Sequence, residues 1–323
     1  MAISASESMK AGLQQWLPES VYSLLRNVNQ GRSTLLQRSM EALGLNVSRA
    51  SDFYSPLPSL RDLERHRSRW CRPSALHGVR YDTAAMKQSL GQLMAKYGEE
   101  LKQLPRYGKI QRFGPGYTET DALLLYMMIR ETKPNRYLEV GSGISTYFCS
   151  LAAERNAAEG RPVEITCIEP YPREELHSIP GIHLRRHEVQ DEDPATFRSL
   201  ESGDVLFIDS SHALRIDSDI PFLFLEVLPA LGHGVTIQIH DIPFPYNFPY
   251  PADYWIFGQT WPMLWNEAMV LQAFLAFNRE FEVTMSLPLI RFEDEAFLKG
   301  LIPNYKTVQE EPNTFSSIWL RRS

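Results

Sequence analysis

The sequence predicts an α/β protein, a mainly parallel sheet covered on both faces by helices, with a mostly helical extension before it. Three observations predict it. From about residue 105 onward, short apolar runs alternate with helix-period segments, the pattern of parallel strands joined by crossover helices. One run, Tyr137-Leu138-Glu139-Val140, passes straight into the turn Gly141-Ser142-Gly143 and a helix opened by Ser145 and Thr146. Polar residues also gather where the runs stop, at Glu139, Glu169, Gln190-Asp191, Asp209, His212 and His240-Asp241. In an open parallel sheet those stops share the edge where ligands bind.

Taken in order, residues 1–10 are small and polar and read as a frayed end. Leu17, Val21, Leu24, Leu25 and Val28, then Leu35, Leu36, Met40 and Leu43, recur at helical spacing. Gly31 divides these two stretches and Gly44 stops the second, which reads first as helices packed on the main domain and second as a partner-binding or membrane-surface helix pair. Residues 50–80 are irregular and carry Arg61, Arg65, Arg67, Arg69 and Arg72 diluted by Asp62 and Glu64. Such a run reads first as a solvated helix face and second as a strip for an anionic substrate. Residues 82–104 form a helix with Met86, Leu90, Leu93, Met94 and Leu101 on one stripe, and the domain division is expected near residue 105. The extension is thus 1–104 and the ligand-binding domain 105–323.

Within that domain Thr118 or Thr120 caps a helix over 121–131. Strands follow at 136–140, 163–168, 182–185, 205–208 and 235–239. A core helix spans Ile220 to Leu231, and another runs from about Pro262 to Asn278. Phe281–Leu287 and Thr314–Arg321 close the sheet as an antiparallel pair, making seven strands.

Composition excludes several classes. The chain has 323 residues, 43% hydrophobic and 22% charged, ordinary values for a globular protein. A net charge of −6 argues against bulk nucleic-acid binding. Cys71, Cys149 and Cys167 are odd in number and lack metal-ligand spacing, which suggests reduced thiols and a cytoplasmic setting. No basic-then-apolar leader opens the sequence and no apolar run has membrane-spanning length. A homo-oligomer stays open.

The glycine turn differs from a dinucleotide fingerprint. Thr146 stands where that motif wants Gly or Ala, and an acid sits two residues before the first glycine. That E-x-G-x-G arrangement resembles motif I of class I S-adenosylmethionine-dependent methyltransferases, and the cationic groups of that donor suit an acid at the strand tip. Glu139, Gly141, Ser142, Gly143, Ser145 and Thr146 are its first candidate contacts. Glu169 at the second tip is placed to take the ribose hydroxyls. Gln190 and Asp191 at the third are placed to take adenine, and Asp209 to take the methionine ammonium or a metal. Strands four and five also bring Asp209, His240 and Asp241 to adjacent tips, a set able to hold one divalent cation, magnesium or a softer metal. His212, three residues beyond Asp209, is the candidate base. The competing reading leaves Asp209 capping a helix and His240 merely buried. After His240-Asp241, an aromatic, proline-rich stretch offers Tyr246, Tyr250, Tyr254, Trp255 and Trp261 as acceptor contacts.

Three motifs, Glu139-Val140-Gly141-Ser142-Gly143, Ile208-Asp209-Ser210-Ser211-His212 and Ile239-His240-Asp241-Ile242, together resemble class I S-adenosylmethionine-dependent methyltransferases of the type 24 family. That family includes macrolide-sugar O-methyltransferases, and cephalosporin hydroxylase-like proteins share related features. The resemblance covers about residues 105–323 and implies a Rossmann-like seven-stranded methyltransferase sheet. It also implies methyl transfer to a hydroxyl of a small molecule, sugar or glycan, with Asp209 and His212 as metal ligand and base. His240 departs from the family's acid at that position, so magnesium competes there with a softer metal or none. Base methylation of nucleic acid is disfavoured, because Asp-Ser-Ser-His replaces the D/N-P-P-Y/F element. A metal-dependent hydroxylase on the same fold and a catalytically idle scaffold in a glycan or natural-product assembly complex remain as alternatives.

Overall fold

In the computed structural model, residues 35–47 and 53–323 are described. The helical spacing read at Leu17 to Val28, and the frayed end before it, lie outside them. In the segment before Arg67, residues 35–41 are helical and a short helix spans Leu60–Arg65, where the Ser59 hydroxyl accepts from the Asp62 amide. Arg67–Ser323 forms a compact unit of its own. The expected division near residue 105 does not coincide with its start.

Seven strands build the sheet of this unit: β1 (Arg136–Val140), β2 (Glu164–Ile168), β3 (Ile182–Arg185), β4 (Val205–Ile208), β5 (Thr236–Ile239), β6 (Phe281–Ser286) and β7 (Ile318–Arg322). Their order is β3-β2-β1-β4-β5-β7-β6. Strands β1 to β5 are mutually parallel, and β7 runs antiparallel between β5 and β6. The Rossmann-like seven-stranded expectation is borne out. All four residues of β4 are buried, the near-continuous apolar run expected of a strand covered on both faces. The chain order reverses between β1 and β4, so the carboxyl ends of those two strands form the switch-point crevice.

The longer helices have local reasons to start where they do. In α1 (Thr83–Leu101) the Asp82 carboxylate accepts from the Ala85 amide. In α2 (Glu119–Thr132) the Thr118 hydroxyl accepts from the Asp121 amide, and Lys133 ends the helix in a left-handed conformation. α3 (Ile144–Ala158) follows the glycine turn, its Thr146 hydroxyl accepting from the Gly143 amide. α4 (Glu267–Leu275) is shorter than the helix expected over 262–278, because residues 256–266 form an irregular aromatic segment. α5 (Leu287–Leu301), capped by Ser286, was not anticipated from the sequence. The expected core helix over 220–231 is broken into an α turn, a π-helical stretch over Phe222–Val227 and a 3₁₀ turn, with Pro221 and Pro229 at its joints. Among the described residues, no helix is long and apolar enough to cross a membrane.

The glycine turn is fixed by close approach. Gly141 has φ +87°, and a Cβ there would overlap the backbone carbonyl oxygen of Asp209. The two strand ends are locked together by the Asp209 amide, which donates to the Val140 carbonyl at 2.9 Å. Gly141→Ala is expected to destabilise the folded chain by about 2 kcal/mol or more, from combined strain and overlap. Gly203→Ala, at an equally positive φ in open space, is the comparison. Denaturant unfolding of the two variants measures the difference, and equal losses would rule out the close-approach account.

Candidate active site

Two clefts open at the carboxyl edge and meet at three residues, Glu169, Tyr171 and Asp209. The larger encloses about 580 Å³, between Gly141, Glu169, Gln190 and the loop from Ser210 to Asp219. The smaller encloses about 240 Å³, between Ser142, Gly143, Ser145 and residues 113–117. The hydroxyls of Ser142 and Ser210 are buried in the walls of these clefts without a hydrogen-bond partner. Glu169 stands at the junction, half-buried, and one of its oxygens accepts from the Tyr171 amide at 2.8 Å. Burial raises its pKa.

Most of the expected cofactor contacts are brought to these clefts, and a few are not. Gly141, Ser142, Gly143, Ser145, Glu169, Gln190 and Asp209 line them. Asp191 is exposed outside, while Glu188, which accepts from the Gln190 amide nitrogen at 2.7 Å, lines the larger cleft instead. Thr146 is fully buried and spends its hydroxyl on the turn. Glu139 is fully buried and turned into the protein. It accepts from Ser145 Oγ at 2.5 Å and from Cys167 Sγ at 3.4 Å, and burial pushes its pKa up to about 8. Its carboxyl lines neither cleft.

Beyond Asp209 lies a cluster of ionisable groups. His212 Nε2 is 3.3 Å from Asp209 Oδ1 and 3.4 Å from Asp241 Oδ2, and its Nδ1 is 2.7 Å from Glu267 Oε2. His240 Nδ1 is 3.3 Å from Asp209 Oδ1 and 3.6 Å from Asp241 Oδ2, and its Nε2 is 3.5 Å from Asp121 Oδ2. The two imidazoles therefore flank the same pair of aspartates, each with a further acid behind it. Burial disfavours charge on either ring, yet the surrounding carboxylates outweigh it, and both pKa values stand well above the ordinary histidine value. Asp209, though partly desolvated, is held below its ordinary value by the same two rings.

The supporting contacts are equally specific. Asp121 receives the Ser316 and Ser317 amides, each at 3.1 Å, and Asp241 receives the Ser316 hydroxyl at 2.8 Å. The His212 carbonyl accepts from the first amides of α4, at Asn266 and Glu267. His212 and Asp241 themselves have φ of +58° and +56°, left-handed values uncommon for such residues and typical of positions a site over-determines. Asp121 and Glu267 both stand in the first turn of a helix. Acids in a helix's first turn are common, and only burial against a strand tip distinguishes these two.

Ligand atoms of Asp209, His240 and Asp241 lie within 4.8 Å of one another. Two ligands of one ion with bonds near 2.1 Å stand at most about 4.2 Å apart, so a small contraction would bring this set to a common centre. The donor set fits a divalent cation on that geometry, provided His240 gives up its proton. Of the expected acceptor contacts, Tyr250 and Trp255 line a small cavity beside Asp241. Tyr246 stacks on Tyr250 at 3.8 Å and points to Phe248 and Phe292. Tyr254 and Trp261 are 38% and 74% exposed and lie outside that cavity. Trp265, not singled out as an acceptor contact, touches His212 with ring centroids 4.7 Å apart.

The family comparison agrees with this geometry. The type 24 family model, described as a methyltransferase domain, matches residues 138–242, from β1 to just past β5. The resemblance carried by the three motifs is borne out over these residues. An uncharacterized protein of Archaeoglobus fulgidus is 29% identical over 175 residues, 46% of this chain and 72% of that protein. Among solved structures, an O-methyltransferase from Bacillus cereus in complex with SAH is similar at 13% identity and TM-score 0.41, over 74% of this chain and 100% of that one. The O-methyltransferase TomG from Streptomyces achromogenes, involved in tomaymycin synthesis and in complex with SAM, is similar at 14% identity and TM-score 0.39, over 76% and 91%.

Glu139 gives the site a measurable pH signature. Its folded pKa lies above the unfolded value, so the folded chain binds more protons, and stability falls as pH rises from the ordinary carboxylate range through about 8. Glu139→Gln does not titrate and escapes that loss. The variant is expected to gain on the parent by a few kcal/mol between about pH 5 and pH 9, read by denaturant unfolding at both. A constant difference across that range would show that Glu139 ionises normally.

Proposed function

We propose that this chain transfers a methyl group from S-adenosylmethionine to a hydroxyl of a small molecule, sugar or glycan. The observation that carries the reading is the position of Asp209, shared by the two clefts and by the histidine–carboxylate cluster. A donor lying along the clefts therefore ends beside a base. The fit of the clefts to the donor rests on three features. Gly141 and Gly143 border the clefts with bare backbone, Ser142 and Ser210 hold unpartnered hydroxyls, and Glu169 presents a carboxylate between the two spaces. When bound, the donor supplies a methyl group on a cationic sulfur. Glu169 takes the ribose hydroxyls, Gln190 with Glu188 borders the adenine, and the glycine turn and Ser145 border the methionine end.

His212 removes the acceptor's proton. Its Nδ1–H donates to Glu267, which fixes the ring with Nε2 facing Asp209 and Asp241. Asp209, His240 and Asp241 would hold a divalent cation, which when bound lowers the pKa of a hydroxyl beside it. Trp265 and Trp255 shape the acceptor side, and water is kept from His212 by its own burial. The hydroxylase and scaffold readings have no comparable support in the geometry.

Donor binding is tested by calorimetry. S-adenosylhomocysteine is expected to bind, NAD is not, and Glu169→Ala should weaken the former about tenfold or more through loss of a charged hydrogen-bond acceptor. Tight NAD binding with no S-adenosylhomocysteine binding would overturn the methyltransferase reading.

The base has a kinetic signature. Because the His212 pKa is raised, the neutral, basic form accumulates only as pH climbs above neutral, so turnover should rise in that direction. Glu267→Gln removes part of the upward shift and should move the rise to lower pH, with a lower plateau. His212→Ala should cost about 10²–10⁴-fold at every pH. Turnover by His212→Ala near the parent level would place the base elsewhere, and full activity after chelation would leave the cluster working without a cation.

A further inference from the structure

Among the described residues, Arg291 is a partly buried cation on the acceptor side of the cluster with no acid in salt-bridge contact. It lies just past the first turn of α5, and burial lowers its pKa, opposed from further away by Glu295 and Asp121. Among the described residues, no carboxylate oxygen lies within 4.0 Å of its guanidinium. One nitrogen donates to Thr314 Oγ1 at 2.6 Å, and the group rests on the Phe315 ring at 4.7 Å from its centroid. A guanidinium has five N–H donors in a fixed fork. Holding it in a partly desolvated place with a single hydroxyl partner costs stability, a cost that a bidentate anion would offset.

Its surroundings show where such an anion would come from. Arg291 and Asp241 line the same cavity, together with Tyr250, Trp255 and Trp265. Trp265 in turn touches His212, and Trp255 lies 6.0 Å from Trp265 between ring centroids. The guanidinium is thus joined by one aromatic wall to the group that would remove the acceptor's proton. The enclosed space is about 20 Å³, the size of a single small substituent rather than of a whole acceptor. It suits a carboxylate better than a bulkier phosphate.

We propose that Arg291 reads a carboxylate on the methyl acceptor, so that the substrate is an anionic hydroxy compound whose ring lies against Trp265 and Trp255. This deepens the methyltransferase reading and rests on it for the identity of the reaction, although the anion site itself is measurable without turnover. The carboxylate replaces the missing counter-ion at Arg291 and fixes which hydroxyl faces His212. Cavity size sets the preference among anions, and the aromatic wall sets the preference for a ring over a bare ion.

The test uses the full chain and simple probes. Benzoate, benzamide and phenyl phosphate are titrated against tryptophan fluorescence, with S-adenosylhomocysteine binding measured on the same samples. Benzoate is expected to bind saturably, more tightly than phenyl phosphate, and about tenfold or more tighter than its neutral amide. Arg291→Gln should erase the preference for benzoate over benzamide while leaving S-adenosylhomocysteine binding unchanged. Arg291→Lys, which keeps the charge but not the fork, should retain part of it, and serves if the glutamine variant does not fold. Absence of saturable benzoate binding, or an unchanged preference in a folded Arg291 variant, overturns the proposal. Failure of S-adenosylhomocysteine to bind would instead remove the methyltransferase reading, with the anion result standing on its own measurement.

Discussion

The site depends on one junction, where the ends of β1 and β4 are held so closely that only glycine can stand at position 141. The Asp209 amide is tied to Val140, and its carbonyl fills the space a side chain at Gly141 would need. That contact leaves the Asp209 carboxylate facing two histidines while its residue still lines both clefts. Donor space and proton-handling cluster are therefore two sides of one residue. Their relative position is set by backbone packing at the switch point rather than by flexible side chains.

The cluster is a problem of charge. Asp121, Asp209, Asp241 and Glu267 are gathered around His212 and His240, with only Asp209 and Asp241 partly open to solvent. The two rings meet part of that negative charge by holding protons, which is why both titrate high. A divalent cation would do the same work with His240 neutral, so proton and metal compete for one place. Serine amides and a hydroxyl from the turn before β7 share the remaining load at Asp121 and Asp241.

Much of this was legible in the sequence because the signals are local. The glycine turn, the short apolar runs and the polar residue after each run pointed to the parallel strands, Glu169, Asp209, His212 and the His240-Asp241 pair. The inward turn of Glu139 was not legible, because a strand-end acid can face either the crevice or the core, and only Ser145 and Cys167 in three dimensions decide it. Asp121, Glu267 and Arg291 were hidden for a related reason. Each sits in or near the first turn of a helix, where charged residues are ordinary, and each gains its meaning from a partner far away in sequence. The aromatic stretch was half legible. Its density marked the acceptor side, but which rings face inward follows from the irregular path of residues 244–266.

The serine amides at 316 and 317 also bear on how the protein is made. They reach Asp121 from nearly two hundred residues further along the chain, just before the strand that inserts between β5 and β6. A ribosome releases α2, the glycine turn and both histidines long before those amides emerge. Until then the buried aspartate lacks two of its donors, and the partly made domain carries an open sheet edge beside β5. The reactive cluster is thus completed by a late structural step, and a nascent chain cannot present a finished site to substrate.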